Sequence, residues 1–153
     1  MRKETLTYSD YFTGEETTED AYFNLNKMEL TEIQFDWNED FQSVLKKIQK
    51  SNDVKLTIEL IKKIITVSYG ERVGNTFQKY DENGKRLVYK NFFGTGADDA
   101  LFTRMMTGDG SNISDFIRDI LPKDLRAQVD KAIEEKKEPA KVVPGPGADT
   151  NKQ

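Results

Sequence analysis

The chain has neither cysteine nor histidine among its 153 residues. Without cysteine there is no disulfide framework and no thiolate site, which fits a cytosolic setting. Without histidine, any acid–base role falls to carboxylates, lysines or tyrosines. Long apolar runs are missing too. No stretch approaches the roughly 18 residues a bilayer span needs, so no membrane association is expected. The opening MRKETLTYSD has basic residues but no apolar segment behind them, so no signal peptide is expected there. A basic excess is also lacking. The net charge is −4, and residues 1–53 carry six basic against twelve acidic side chains. Nucleic-acid binding rests on phosphate neutralisation by clustered Lys and Arg, and no such stripe is present. The acidic half suits a basic partner or plain solubility.

What is present is a pattern of elements. Leu6 and Tyr8 alternate with polar residues, and Ala21, Phe23 and Leu25 do the same after a polar break. Alternation on both sides of a loop predicts a β-hairpin over 4–25 with one buried face. Gly14 suits the turn. Asn26 with Glu29 forms the N-x-x-E capping box, and Leu25 with Leu30 the hydrophobic staple, of a first helix that breaks near Asp36-Trp37-Asn38. A second helix is predicted over 39–50, with Phe41, Val44, Leu45 and Ile48 at helical spacing. Ser51-Asn52-Asp53 is a linker and cap before the most apolar segment, 54–69. There Leu56, Leu60, Ile64 and Val67 form one stripe and Ile58, Ile61 and Ile65 a second. So wide an apolar face predicts a central helix contacted on two sides, with Gly70 as its left-handed stop.

Residues 71–91 are less regular. Asp81 to Gly84 is a turn signal, and Phe77 and Tyr80 before it with Leu87 and Tyr89 after it suggest a small hairpin. Thr95 with Asp98 opens a helix over 97–106, and Ser111 caps another carrying Ile113, Phe116, Ile117, Ile120 and Leu121. Pro122 suits the first turn of a last helix with Leu125, Val129, Ala132 and Ile133 as its stripe. From Glu138 the composition turns to Pro, Gly and polar residues, which predicts a disordered tail over 138–153. The expected fold is α+β, mainly α. A hairpin packs on a helical bundle of about five to six helices over 26–137, in one globular domain, 1–137.

Three stretches imitate sites. Asp36 to Asp40 starts like an EF-hand loop. However, Phe41 stands where the loop needs Gly and Lys47 where it needs a bidentate Glu. Gly94-Thr95-Gly96 resembles a phosphate loop, yet Asp98 and Asp99 follow where a phosphate would sit, so a helix cap is expected. Glu15, Glu16, Glu19 and Asp20 cluster at the hairpin turn without a core to shift their pKa values. No catalytic, cofactor or metal residues are assigned, and no enzyme is expected. Among the 16 aromatics, Trp37, Tyr11, Phe12, Phe92 and Phe93 are poorly explained by periodicity. Tyr11, Phe12, Phe92 and Phe93 are the candidate partner-binding residues. Met105 and Met106 are adaptable apolar side chains that core packing explains equally well.

The opening LTYSDYFTGEETTEDAYFNLNKMELTEI resembles the N-termini of bacteriophage tail assembly chaperones. The residues that carry the likeness are Leu6-Thr7-Tyr8, Thr18-Glu19-Asp20, Tyr22 to Leu25, Lys27 and Glu29 to Glu32. Ser68-Tyr69-Gly70-Glu71 and Ile120-Leu121-Pro122 extend it, while the loops over 74–92 and the tail depart from the pattern. The resemblance implies a non-enzymatic protein that binds the long, helical tape measure protein, keeps it soluble and promotes tail tube assembly. It implies action in the host cytoplasm during virion assembly and absence from the mature virion. Self-association is open, and the competing expectation is a structural head or tail component retained in the particle.

Overall fold

A hairpin opens the chain, and its register follows from its alternation. A computed structural model describes residues 1–51, 53–108, 111–127 and 130–131. Strands β1 (Arg2–Ser9) and β2 (Glu16–Phe23) pair antiparallel, with Leu6 opposite Glu19 and Glu4 opposite Ala21. Leu6, Ala21 and Phe23 face the core, while Thr5, Thr7 and Thr18 face out. One residue breaks the apolar face. Glu4 is only 2% exposed, and its carboxylate accepts from the guanidinium groups of Arg2 and Arg104. Arg2 also donates to Asp119 at 2.7 Å. Burying a carboxylate is tolerable only with such partners.

Helix α1 (Lys27–Trp37) starts from the Asn26 capping box, with Asn26 Oδ1 accepting from Glu29 N at 2.9 Å and Glu29 Oε1 accepting from Asn26 N at 3.0 Å. Leu25 and Leu30 are both buried beside it, as a staple requires. Asn38 stops the helix in the left-handed region (φ 53°). Asp40 then caps α2 (Phe41–Ser51), its Oδ1 accepting from Ser43 N at 2.8 Å. Asp53 caps α3 (Val54–Ser68).

The chain then departs from expectation. Tyr69 turns extended at the end of α3 (ψ 137°) and pairs with Phe23, and Asn24 N donates to Ser68 O at 2.9 Å. Strands β3 (Tyr69–Val73) and β4 (Thr76–Gln78) therefore add to the hairpin, giving one four-stranded antiparallel sheet in the order β1-β2-β3-β4. Within the α+β class, the expected lone hairpin on a bundle of five to six helices is corrected to a four-stranded antiparallel sheet. Gly70 is not a left-handed helix stop. It lies in β3 beneath the Phe77 ring, where a Cβ would stand 2.5 Å from Phe77 Cζ. The small hairpin expected from Phe77 and Tyr80 is likewise corrected. Phe77 pairs with Arg72 across a two-residue Gly74–Asn75 turn, with Gly74 at φ 63°. The Asp81–Gly84 turn forms, but it closes on a single Tyr80–Arg86 bridge, and Leu87 enters a short helix, α4 (Leu87–Asn91).

Helix α5 (Gly96–Met106) packs on β1, and α6 (Ser111–Ile120) on α5 and β1. Ser111 is the first residue of α6 rather than the residue before it. Leu25 N donates to Ile120 O at 2.8 Å, tying the hairpin exit to the end of α6. Residues 123–127 are again helical. The Phe23 ring is the centre of the core, edge-on to Tyr69, Phe92 and Phe116 at 5.8, 5.8 and 5.1 Å. Lys79 ties the β4 exit to α1, donating to Asn24 O and Glu29 Oε1 at 2.6 Å each. Burial pushes the Lys79 ammonium pKa down, against the upward pull of Glu29. The expected stripe residues Val129, Ala132 and Ile133, the side chain of Ile48 and the tail 138–153 lie outside the described residues.

Candidate functional site: an apolar groove between α3 and α5

The groove begins with a turn. Phe93 N donates to Val88 O at 2.9 Å, and Gly94 follows at φ 84°, a conformation that residues with a Cβ resist. Thr95 then caps α5, its Oγ1 accepting from Asp98 N at 3.4 Å, while Asp98 Oδ2 accepts from Gly94 N at 3.0 Å. This reciprocal cap uses up the Gly94-Thr95-Gly96 stretch that resembled a phosphate loop. It also sends two neighbouring rings opposite ways. Phe92 is 2% exposed and packs on Phe23 and Tyr69. Phe93 turns outward beside Tyr89, their ring centroids 5.7 Å apart.

Phe93 and Tyr89 look onto an open groove of about 640 Å³. Ile58, Ile61 and Ile65 of α3 form one wall, and Phe102 of α5 belongs to the other. Ile61 and Ile65 are buried at its base, whereas Ile58 and Phe102 are exposed. The rim is polar, with Lys62 on the α3 side and Asp98 and Asp99 on the α5 side. Tyr11 completes it from the β1–β2 loop.

That loop is fixed by its own hydrogen bonds. Asp10 Oδ1 accepts from Phe12 N at 2.8 Å and Thr13 N at 2.9 Å, and Gly14 N donates to Asp10 O at 2.8 Å. The two backbone N–H groups hold the Asp10 carboxyl below its ordinary pKa. The loop thus presents Tyr11 at 70% exposure and Phe12 at 99%. Of the four aromatics singled out in the sequence, Tyr11 and Phe93 meet in the groove, Phe12 stands free at the loop tip, and Phe92 is core. Trp37 packs partly buried against the core. Sequence reasoning did not single out Ile58, Tyr89 or Phe102 as surface residues. The available signal was the second isoleucine stripe of α3, wider than one neighbour needs to cover.

The remaining imitations resolve into structure. Asp36 pairs with Lys63 at 2.6 Å and Asp40 is a helix cap, so the EF-hand-like stretch is an inter-helix corner. In the acidic cluster, Asp20 accepts from Thr5 Oγ1 at 2.7 Å, and Glu19 accepts from the Tyr8 hydroxyl. That bond to Glu19 pushes the Tyr8 pKa up to about 12. Thr5 and Asp20 pair on the outward face of the hairpin, Tyr8 and Glu19 on the face toward α5, and neither pair spans a cleft. Among the described residues no group of acidic side chains is placed to hold a metal ion. No helix among them is long and apolar enough to cross a membrane.

No curated protein and no solved structure matches the chain. A family model does match, and its description is phage tail assembly chaperone, with residues 1–152 matched. The match takes in the hairpin, all the described helices and every wall of the groove, and on that extent the chain belongs to the phage tail assembly chaperone family.

Proposed function

We propose that this protein binds the tape measure protein, keeps it soluble and promotes tail tube assembly, with the groove between α3 and α5 as the holding surface. The observation that carries this reading is an open apolar groove with a charged rim, preformed by a capped turn and a hydrogen-bonded loop. A client rich in amphipathic helices is held by laying an apolar face into such a groove. Aromatic and isoleucine side chains supply area without fixed partners, so one surface serves many similar segments. Tyr11, Phe12 and Phe93 are the proposed contacts from the sequence, joined by Ile58, Tyr89 and Phe102. No catalytic step is assigned. The protein acts in the host cytoplasm while tails assemble and leaves before the virion is complete.

Co-expression with the tape measure protein of the same phage tests the proposal. The client should be soluble and co-purify with the chain, and should pellet without it. The Tyr11→Ser, Tyr89→Ser double variant should fold yet leave the client insoluble. Client solubility indifferent to this chain would overturn the proposal, as would finding the chain at stoichiometric copy number in purified virions.

A further inference from the structure

We propose that the groove selects a helix with basic side chains along one flank and acidic side chains along the other, and that this asymmetry fixes the direction in which the helix lies. The inference rests on the groove being the client surface. Its basis is the rim. Lys62 stands on the α3 wall, and Asp98 and Asp99 on the α5 wall. Neither Lys62 nor Asp99 forms an ion pair among the described residues, whereas neighbouring Lys63 is paired with Asp36. Asp98 spends one oxygen on Gly94 N and keeps the other. Glu59 is on the same helix as Lys62 but does not line the groove. The two walls therefore offer opposite charges to whatever lies between them.

Geometry converts that charge difference into a direction. From Ile58 to Ile65 the α3 wall runs about 10 Å, two helical turns. A client helix with an apolar stripe at i, i+3, i+4 and i+7 can lay that stripe on the isoleucines in either direction. Turning the helix end for end, with its stripe still facing the groove, exchanges its left and right flanks. A helix with one basic and one acidic flank therefore meets complementary charges on both walls in one direction and like charges on both in the other. Each exposed contact is worth up to about fivefold in an equilibrium constant. Attraction on both walls against repulsion on both walls compounds to a preference of about tenfold or more. Copies bound along one long helical client would then all face the same way, giving the coat a polarity before any tube protein arrives.

Absence of cysteine makes the test direct, because a single introduced thiol is the only one. Lys55 is exposed and lies one turn before Ile58, so Lys55→Cys carries a nitroxide at one end of the groove. The probe is a synthetic amphipathic helix of about 18 residues, or 27 Å. It carries a leucine stripe, lysines on one flank, glutamates on the other, and a second nitroxide at its N-terminus. Pulsed dipolar spectroscopy should show one dominant distance. In the Lys62→Glu, Asp99→Lys double variant the α3 wall is inverted and Asp98 on the α5 wall is offset by the new lysine, so the dominant distance should change to that of the opposite end, with affinity lowered by no more than several-fold. Peptides with both flanks acidic or both basic should bind several-fold more weakly. Two equally populated distances, or the same distance in both proteins, would overturn the directional proposal while leaving the chaperone reading intact. Failure of every peptide to bind, with the tape measure protein still kept soluble, would remove the groove as the helix site. Loss of client solubility control altogether would overturn the function itself, which the co-expression experiment reads separately.

Discussion

The two sides of α5 do opposite things. Toward the sheet, Ala97, Leu101 and Met105 are buried, the Tyr8 ring lies on Gly96, and Arg104 grips Glu4 and donates to Thr5 O at 2.9 Å. Toward α3, Asp98, Asp99 and Phe102 border open space. One side is sealed by shape and charge together, while the other has apolar wall and charged rim but no partner in the chain. The contrast teaches that exposure here is local and supported. A rigid, sealed face is what holds the open one in shape.

Gly96→Ala should break the sealed side most. A Cβ there would stand 2.1 Å from Tyr8 Cδ2 and 2.7 Å from Tyr8 Cγ, so the whole ring must move, not only its tip. Overpacking of this kind costs about 1–3 kcal/mol. Chemical denaturation should read a loss near the upper end of that range, with the denaturant slope unchanged. Gly70→Ala is the internal control. Its nearest atoms are the far end of the Phe77 ring, which can swing aside, so the loss should be smaller.

Arg104→Ala comes next. The variant leaves Thr5 O without its donor and Glu4 with Arg2 alone. A hydrogen bond to a charged group contributes about 1.5–3 kcal/mol, and retention of Arg2 places the expected loss at the lower end. Arg104→Lys should recover only part of it, because an ammonium cannot reproduce the forked geometry. A double-mutant cycle with Glu4→Gln should give a coupling energy well above that of the exposed Lys27–Asp124 pair, whose ends stand 2.7 Å apart.

The legibility of the sequence divides along the same line. Local chemistry was readable. Asn26 and Thr95 cap the helices they were expected to cap, the cap expected within Ser51-Asn52-Asp53 is Asp53, and the alternation around Leu6 and Phe23 marked the buried face of the hairpin. The sheet beyond β2 was not. The apolar run of α3 continues into Tyr69 and Gly70, and glycine after a helix reads as a stop, yet pairing with Phe23 draws that backbone into a strand. Gly74-Asn75 between two alternating segments was the overlooked hairpin signal. At the groove, Tyr11 and Phe93 were legible as aromatics that no periodicity explained. That Phe92 is core and Phe93 is not depends on the Gly94 turn, and the groove's width on how α3, α4 and α5 are spaced. Neither is written in any one segment.

The open side should give the opposite result from Gly96 and Arg104. Tyr11 and Tyr89 are exposed, so Tyr11→Ser and Tyr89→Ser should each shift stability by less than about 0.5 kcal/mol. The melting temperature should stay put while client solubility falls. A double variant that unfolds would show that the groove residues are structural after all and would erase the contrast between the two sides.

Acid sharpens the comparison at its weakest point, the loop that carries Tyr11 and Phe12. Asp10 is partly exposed at the loop, and its pKa is lowered because the Thr13 and Phe12 N–H groups favour the carboxylate. A carboxyl with a folded pKa below its unfolded value contributes order that is present above the unfolded pKa and lost as pH falls through the folded one. The loop should therefore keep its geometry at neutral pH and through mild acid, and loosen only below the ordinary aspartate value near 3.8. Amide shifts of Phe12 and Thr13 should titrate together below that value, while those of Leu101 on the sealed side stay unchanged over the same range. Asp10→Asn retains an oxygen acceptor but not the charge, so it should keep the turn and abolish this titration. Amide shifts that titrate unchanged in Asp10→Asn would show that another carboxylate, not the one beneath Phe12, controls the loop.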